Sequence, residues 1–396
     1  MGTFRILSLD GGGTWAMIQV MALQAIYGDP LLTGRAILRK FDLVTANSGG
    51  SVVAAALAAD FTLQKILGLF LDKASREEIF VKVPFYSWLN PVRDIVKGPR
   101  YSTDKKLKGL INFLEPAFAN TNLSSLPVMI GPNYRGRNVE FLIPAFDYDR
   151  KRGTFFRSRQ DSPASNFPHS SQVSIGQAVH ASSTAPVRYF DTPASILGRR
   201  FWDGGVAGFN NPVFVGVIEA LSDNVPASDI LAFSIGTGSV YRPFNGLAVD
   251  DILRQPCEDE SVAGDVGVLG LSITDDPPDA ATFEAHVVLG QKLPVRTGDW
   301  IADGCVIRLN PLVQPKMNQA GQWDLPKGFS RDEFSRLVSL ELDALEKEDI
   351  DLIHKFSGAW IVGDIANQPI RTNQQLDCEI GHSDFRDGAA LMRMRT

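Results

Sequence analysis

Ser48 ends an apolar run, Phe41-Asp42-Leu43-Val44-Thr45-Ala46, and is enclosed by Asn47 on one side and Gly49-Gly50 on the other. A strand that turns straight into a helix forces the turn residue to positive φ, and the residues two before and two after it must be small to avoid collision. Ala46 and Gly50 meet that demand. Such a turn lifts a hydroxyl clear of the sheet edge, at the first turn of a helix expected over Ser51–Ala59. There unpaired N–H groups and the positive end of the helix dipole favour a developing oxyanion. The arrangement suits nucleophilic attack by serine, although small-x-Ser-x-Gly also fits a plain tight turn.

Two further segments add to it. Arg5-Ile6-Leu7-Ser8-Leu9-Asp10 has the composition of a buried strand and runs into Gly11-Gly12-Gly13, followed by a helical apolar stretch from Trp15 to Tyr27. Three glycines leave backbone N–H groups bare, so the loop can hold an anion or the oxyanion of a tetrahedral intermediate. Phe201-Trp202-Asp203-Gly204-Gly205-Val206 then delivers one carboxylate beside two glycines that let other backbone approach it, which makes Asp203 a candidate base.

Asp10-Gly11-Gly12-Gly13, Asn47-Ser48-Gly49-Gly50 and Asp203-Gly204-Gly205 together resemble the motifs of the patatin-like phospholipases, in that family's order. Ala181-Ser182-Ser183-Thr184-Ala185-Pro186 resembles the family's small-residue segment before the aspartate, and Leu231–Gly238 its strand ending in Gly-Thr-Gly. The likeness covers about Phe4 to Ser239, and five motifs in order are far more specific than one. It implies acyl ester hydrolysis by a dyad of Ser48 and Asp203 without histidine, and an oxyanion hole from the amides of Gly11, Gly12, Gly13 and Gly49. It also implies phospholipid or lysophospholipid substrates, a peripheral membrane surface as partner, and no metal or organic cofactor. A carboxylate is a poor base in water, with a pKa near ~4, so a dry cleft must raise it. Some bacterial members of the family are switched on by cyclic nucleotides in antiphage defence. A nucleotide activator and a role as a regulated bacterial effector follow as expectations, although no motif assigns them.

The chain departs from the family after the glycines. Where a hydrophobic residue, Arg or Lys, and then Gly are usual, it has Thr14, Trp15 and Ala16, so that cation is missing; Ala46 stands where Gly is usual. Neither change removes a catalytic atom. By chain order His180 is a rival base for Ser48, but its place in a short helix suits a packed structural histidine better.

A different class of function starts from Asp10-Gly11-Gly12-Gly13-Thr14, which also resembles the first phosphate loop of the actin-like sugar and acetate kinases, with Ile235–Gly238 as their second. In that fold the first loop is a hairpin into another strand. Here Ala16–Leu23 has helical composition, and Ser48 and Asp203 are left unexplained.

The chain has 396 residues, 44% hydrophobic and 21% charged, enough for one large core. A net charge of −6 argues against binding a nucleic acid polymer, which needs a basic face. The local clusters Lys105-Lys106-Lys108, Arg135 with Arg137, Arg150-Lys151-Arg152 and Arg199-Arg200 fit solvated surface better than a ligand site, although any of them could touch an anionic headgroup or a signalling nucleotide. Three scattered cysteines suit a reducing compartment, and no apolar run reaches the ~18–20 residues of a membrane span. Together with a start that lacks a secretory signal, this points to the cytoplasm with peripheral membrane contact.

To position these residues the sequence offers strands at Phe4–Leu9, Phe41–Ala46, Pro127–Ile130, Val139–Phe146, Phe201–Asp203, Ile230–Ile235 and Val306–Leu309. Helices are expected at Trp15–Tyr27, Ser51–Ala59, Thr62–Leu71, Thr103–Leu114, Ile175–Ser182, Pro212–Leu221, Thr282–Leu289 and, with a break, Arg331–Lys355. The alternation suggests an α/β, three-layer fold with a mostly parallel central sheet flanked by helices, carrying its site at the carboxyl ends of the strands, and the resemblance implies that this fold is patatin-like. Residues 1–240 form the expected catalytic core, with a cap candidate at 61–90. Residues 241–396 form an extension packed on or completing the core, with 250–279 as loops and 358–396 as a tail or packed extension. Leu63, Ile66, Leu67 and Phe70 fall at helical spacing and fit core packing, whereas Phe80–Trp88 suits equally a core segment or a lid over an apolar pocket.

Overall fold

The computed structural model describes residues 3–83, 99–159, 169, 171–186, 189–242, 251–254, 279–302, 304–373 and 378–396. Its centre is an eight-stranded sheet. β1 (Phe4–Leu9), β2 (Leu43–Ala46), β3 (Glu140–Asp147), β4 (Arg152–Arg157), β5 (Ala194–Ile196), β6 (Arg199–Asp203) and β7 (Ile230–Ile235) are joined by the Val306–Leu309 strand. The order across the sheet runs from Val306–Leu309 through β7, β1, β2, β3 and β6 to β5, with β4 also on β3. The five strands from Val306–Leu309 to β3 are parallel, and β4, β6 and β5 add antiparallel pairs.

The central strands are continuous apolar runs because helices cover both faces. Ile6, Leu7, Leu9, Val44 and Ala46 are fully buried. On one face lie Met17–Tyr27, Ser48–Ala58, Leu63–Leu71 and Lys347–Ile361; on the other, Val213–Ser222 and the helix at 279–288. The register brings Leu9, Ala46, Ile235 and Leu309 side by side, so the loops after β1, β2 and β7 leave the sheet at one level. β1 is followed by a 3-10 turn, Gly13–Ala16, and a helix, which removes the hairpin that the kinase reading requires.

Several expectations need correcting. Pro127–Ile130 is helical, part of Leu126–Ile130, because proline fits the first helical turn, where its missing N–H costs nothing. The first active-side helix begins at Ser48, not Ser51. The long Arg331–Lys355 pattern is broken into Arg331–Ser339 and Lys347–Ile361. In the C-terminal stretch, Phe385–Arg395 is a regular helix whose Arg393 donates to the carbonyls of Ala25 and Ile26. Of the loop expected at 250–279, residues 250 and 255–278 lie outside the described residues.

Candidate active site

Ser48 adopts φ 49° at the junction of β2 and the helix Ser48–Ala58. The left-handed conformation is costly for serine and persists only where the surroundings enforce it. The enforcement is visible: a Cβ on Gly50 would lie 2.5 Å from the carbonyl oxygens of both Leu9 and Asp10, so only glycine lets the helix start this close to β1. The Ser48 amide donates to the Ser182 hydroxyl at 3.1 Å, and that hydroxyl donates to Asn47 Oδ1 at 3.1 Å.

Asp203 arrives from the far side of β3. Thr45 pairs with Leu142 and Asp203 with Ala145, which sets Asp203 three residues further along β3, level with Ser48. Its Oδ1 accepts the Gly205 amide at 2.8 Å and Asn47 Nδ2 at 3.1 Å. The Ser48 hydroxyl approaches the carboxylate and favours its ionised form. Burial pushes the Asp203 carboxyl above the ordinary carboxylate range, against the pull of Gly205, Ser48, Asn47 and the Lys106 ammonium.

The glycine loop lies beside this pair. The Gly11 amide donates to the Asn210 carbonyl at 2.8 Å and is engaged there, which corrects its expected role as an oxyanion donor. Among the described residues the amides of Gly12, Gly13 and Gly49 have no hydrogen-bond partner. Thr237, from the Gly-Thr-Gly stretch after β7, fixes the loop by donating its hydroxyl to the Gly11 carbonyl at 2.6 Å. Gly13 has φ 56°, and a Cβ there would sit 2.2 Å from the Leu342 carbonyl oxygen. That carbonyl, in the break between the two C-terminal-half helices, accepts the Thr14 amide at 2.9 Å and hydroxyl at 3.1 Å.

Ser48 opens into a cavity of about 640 Å³, including its mouth, whose walls are mostly apolar: Val52, Leu69, Phe70, Phe113 and Phe190 among others. Phe80 is part of the wall and stacks on Phe190 at 6.0 Å between ring centres. The rest of the lid candidate, from Pro84 through Trp88, lies outside the described residues. Leu63, Ile66 and Phe70 are buried, as a core stripe requires.

His180 is buried, its Nδ1 has no partner, and no hydrogen bond joins its ring to Ser48. Burial and the neighbouring Lys106 hold its pKa well below the usual imidazole range. Lys106 overturns the surface reading of its cluster, being only 1% exposed. Arg135 and Arg137 pair with Asp42, far from this site. Asn47, Ser182, Lys106 and Leu342 are functional candidates that motif reading alone did not single out; Asn47 and Ser182 sit inside quoted motifs, whereas Leu342 carries no local signal. Among the described residues no cluster of His, Cys, Asp or Glu is placed to hold a metal, and no helix is long and apolar enough to cross a membrane.

Chemically, the arrangement offers a hydroxyl, a buried carboxylate and bare amides around an apolar cavity. The chain belongs to the patatin-like phospholipase family, whose model matches residues 7–217. It is 26% identical over 249 residues to a cGAMP-activated phospholipase of Pseudomonas aeruginosa, a match spanning 62% of this chain and 65% of that protein. It is 25% identical over 252 residues to a cGAMP-activated phospholipase of Escherichia coli, spanning 59% of this chain and 62% of that protein. The chain thus covers less than two thirds of the length of these relatives. Among solved structures, VipD from Legionella pneumophila aligns over 91% of this chain and 67% of its own at 12% identity and a TM-score of 0.36, too loosely to bear on any residue of the site.

Proposed function

We propose that this protein is a serine acyl hydrolase of phospholipids or lysophospholipids, with Ser48 as nucleophile and Asp203 as base. The observation that carries the reading is Ser48 at φ 49° beside a buried carboxylate, at the mouth of an apolar cavity. Ser48 Oγ attacks the ester carbonyl carbon as its proton passes to Asp203. The carbonyl oxygen, now negative, is met by the amides of Gly12, Gly13 and Gly49. Collapse of the tetrahedral intermediate breaks the bond to the leaving alcohol, which takes the proton from Asp203. Water then attacks the acyl-serine ester, giving its proton to Asp203; the second collapse returns a proton to Ser48 and releases the fatty acid. The apolar walls hold the acyl chain, each buried CH₂ contributing roughly 0.8 kcal/mol.

The names of the two relatives support a further part of the reading, activation by a cyclic dinucleotide, and the family supports peripheral contact with a membrane surface. The test is mass spectrometry of phospholipid vesicles incubated with the protein, with and without cGAMP. Fatty acid and lysolipid should be released by the wild type and not by Ser48→Ala. Equal release by both proteins would refute the reading, and release independent of cGAMP would remove the activator alone.

A further inference from the structure

Lys106 lies in the helix Thr103–Phe113 and points into the protein. Its Nζ donates to the Thr184 hydroxyl at 2.9 Å and to the His180 carbonyl at 3.2 Å, and lies 4.5 Å from the centre of the Phe190 ring. No carboxylate among the described residues is within ion-pair reach of it. A buried ammonium that meets only neutral acceptors is costly, by several kcal/mol in general, so a charge lysine places there needs a counter-charge nearby.

Three observations tie Lys106 to the candidate site. It lines the same cavity as Ser48. Thr184 holds the ammonium through its hydroxyl and accepts the Asp203 amide through its carbonyl at 2.8 Å, so one residue separates the cation from the carboxylate. Burial pulls the Lys106 ammonium well below the usual lysine range and the Asp203 carboxylate opposes that pull, while the ammonium in turn favours an ionised Asp203.

We propose that Lys106 is a positioning residue of the site, which supplies the positive charge that faces Asp203 across the Thr184 turn and keeps that carboxylate ionised and aimed at Ser48. This rests on the reading of Ser48 and Asp203 as the dyad. The surrounding groups leave the role to Lys106. His180, from the helix Ile175–Ser182, is kept neutral by burial. Ser48 and Asn47, from the elbow, carry no charge. Tyr189 on the cavity wall is held neutral, its hydroxyl pushed up to about 12. Arg76, the other cation on that wall, is bound to the carbonyls of Phe70 and Leu345. During attack the Ser48 proton passes to Asp203 and then to the leaving alcohol, while the ammonium keeps its proton. Without the ammonium, a carboxyl buried this deeply retains its own proton to higher pH and is not a base.

The test is kcat/KM on a short-chain ester against pH for wild type, Lys106→Met, Lys106→Gln, Thr184→Val and Asp203→Asn, with a melting curve for each. In both Lys106 variants the acidic limb should move up, so that the loss relative to wild type is at least about tenfold greater near roughly pH 6 than near roughly pH 9. Thr184→Val keeps the charge and removes one anchor, and should move the limb the same way by less. A loss equal at all pH values, or an unshifted limb, overturns the proposal. If the Lys106 variants do not fold, Thr184→Val decides by the same criterion. If Asp203→Asn is inactive while the Lys106 profiles superimpose on wild type, only the Lys106 role fails; an active Asp203→Asn defeats the dyad itself.

Discussion

Asn47 Nδ2 lies 3.1 Å from Asp203 Oδ1, a direct bond between the residue before Ser48 and a carboxylate 156 positions later in the chain. The same side chain accepts from Ser182, whose hydroxyl receives the Ser48 amide, so Asn47 ties the elbow to both of its neighbours.

Asn47→Ala should therefore loosen Asp203 and Ser48 together. Removing a buried amide with these partners costs roughly 1–3 kcal/mol of stability. Misplacing the carboxylate by even an ångström should lower kcat by roughly 100-fold. Denaturant unfolding and ester kinetics on the same variant check both numbers; wild-type kcat with reduced stability would make Asn47 a structural residue only.

The glycine loop gives a second prediction. Gly13→Ala must place a Cβ 2.2 Å from the Leu342 carbonyl at φ 56°, so it should cost more than the strain alone and lower activity at least about tenfold. Gly28→Ala is the control, with φ 70° and open space around it, and should cost about 1 kcal/mol with activity unchanged. Thermal melts and ester turnover of the two variants should separate clearly.

Beneath that loop Asp10 pairs with Arg308 at 2.7 Å, while its other oxygen, Oδ1, has no partner. Burial raises the Asp10 carboxyl to about 6, with Arg308 opposing. A folded pKa above the unfolded value near ~4 means that the folded state holds the extra proton, so this contribution to stability is full below about pH 4 and is lost as pH rises through about 6. The loss across that window is roughly 3 kcal/mol. Denaturant unfolding from roughly pH 4 to 7 should show wild type losing stability relative to Asp10→Asn across that window; parallel curves would contradict it.

How much of this was legible beforehand follows from the range of each interaction. β1, β7 and the Val306–Leu309 strand have the expected bounds because a strand covered on both faces is an unbroken apolar run. Ser48 and its small neighbours are a local signal, since strain and crowding act within a few residues. Pro127–Ile130, expected as a strand, lies in the helix Leu126–Ile130 because a short apolar run has no period to distinguish strand from helix. Lys106 reads in sequence as one solvated lysine among three, whereas the partners that hold it inside, Thr184, His180 and Phe190, lie more than seventy positions away. Leu342 reaches Thr14 across 328 positions, a contact no local pattern encodes.

The central claim is that Ser48 is the nucleophile, activated by Asp203. The most direct measurement is covalent labelling with a fluorophosphonate, followed by peptide mapping and a rate for each variant. The wild type should acquire a single adduct on Ser48, Ser48→Ala none, and Asp203→Asn the same adduct orders of magnitude more slowly. An adduct on another residue, with ester hydrolysis intact in Ser48→Ala, would contradict the account.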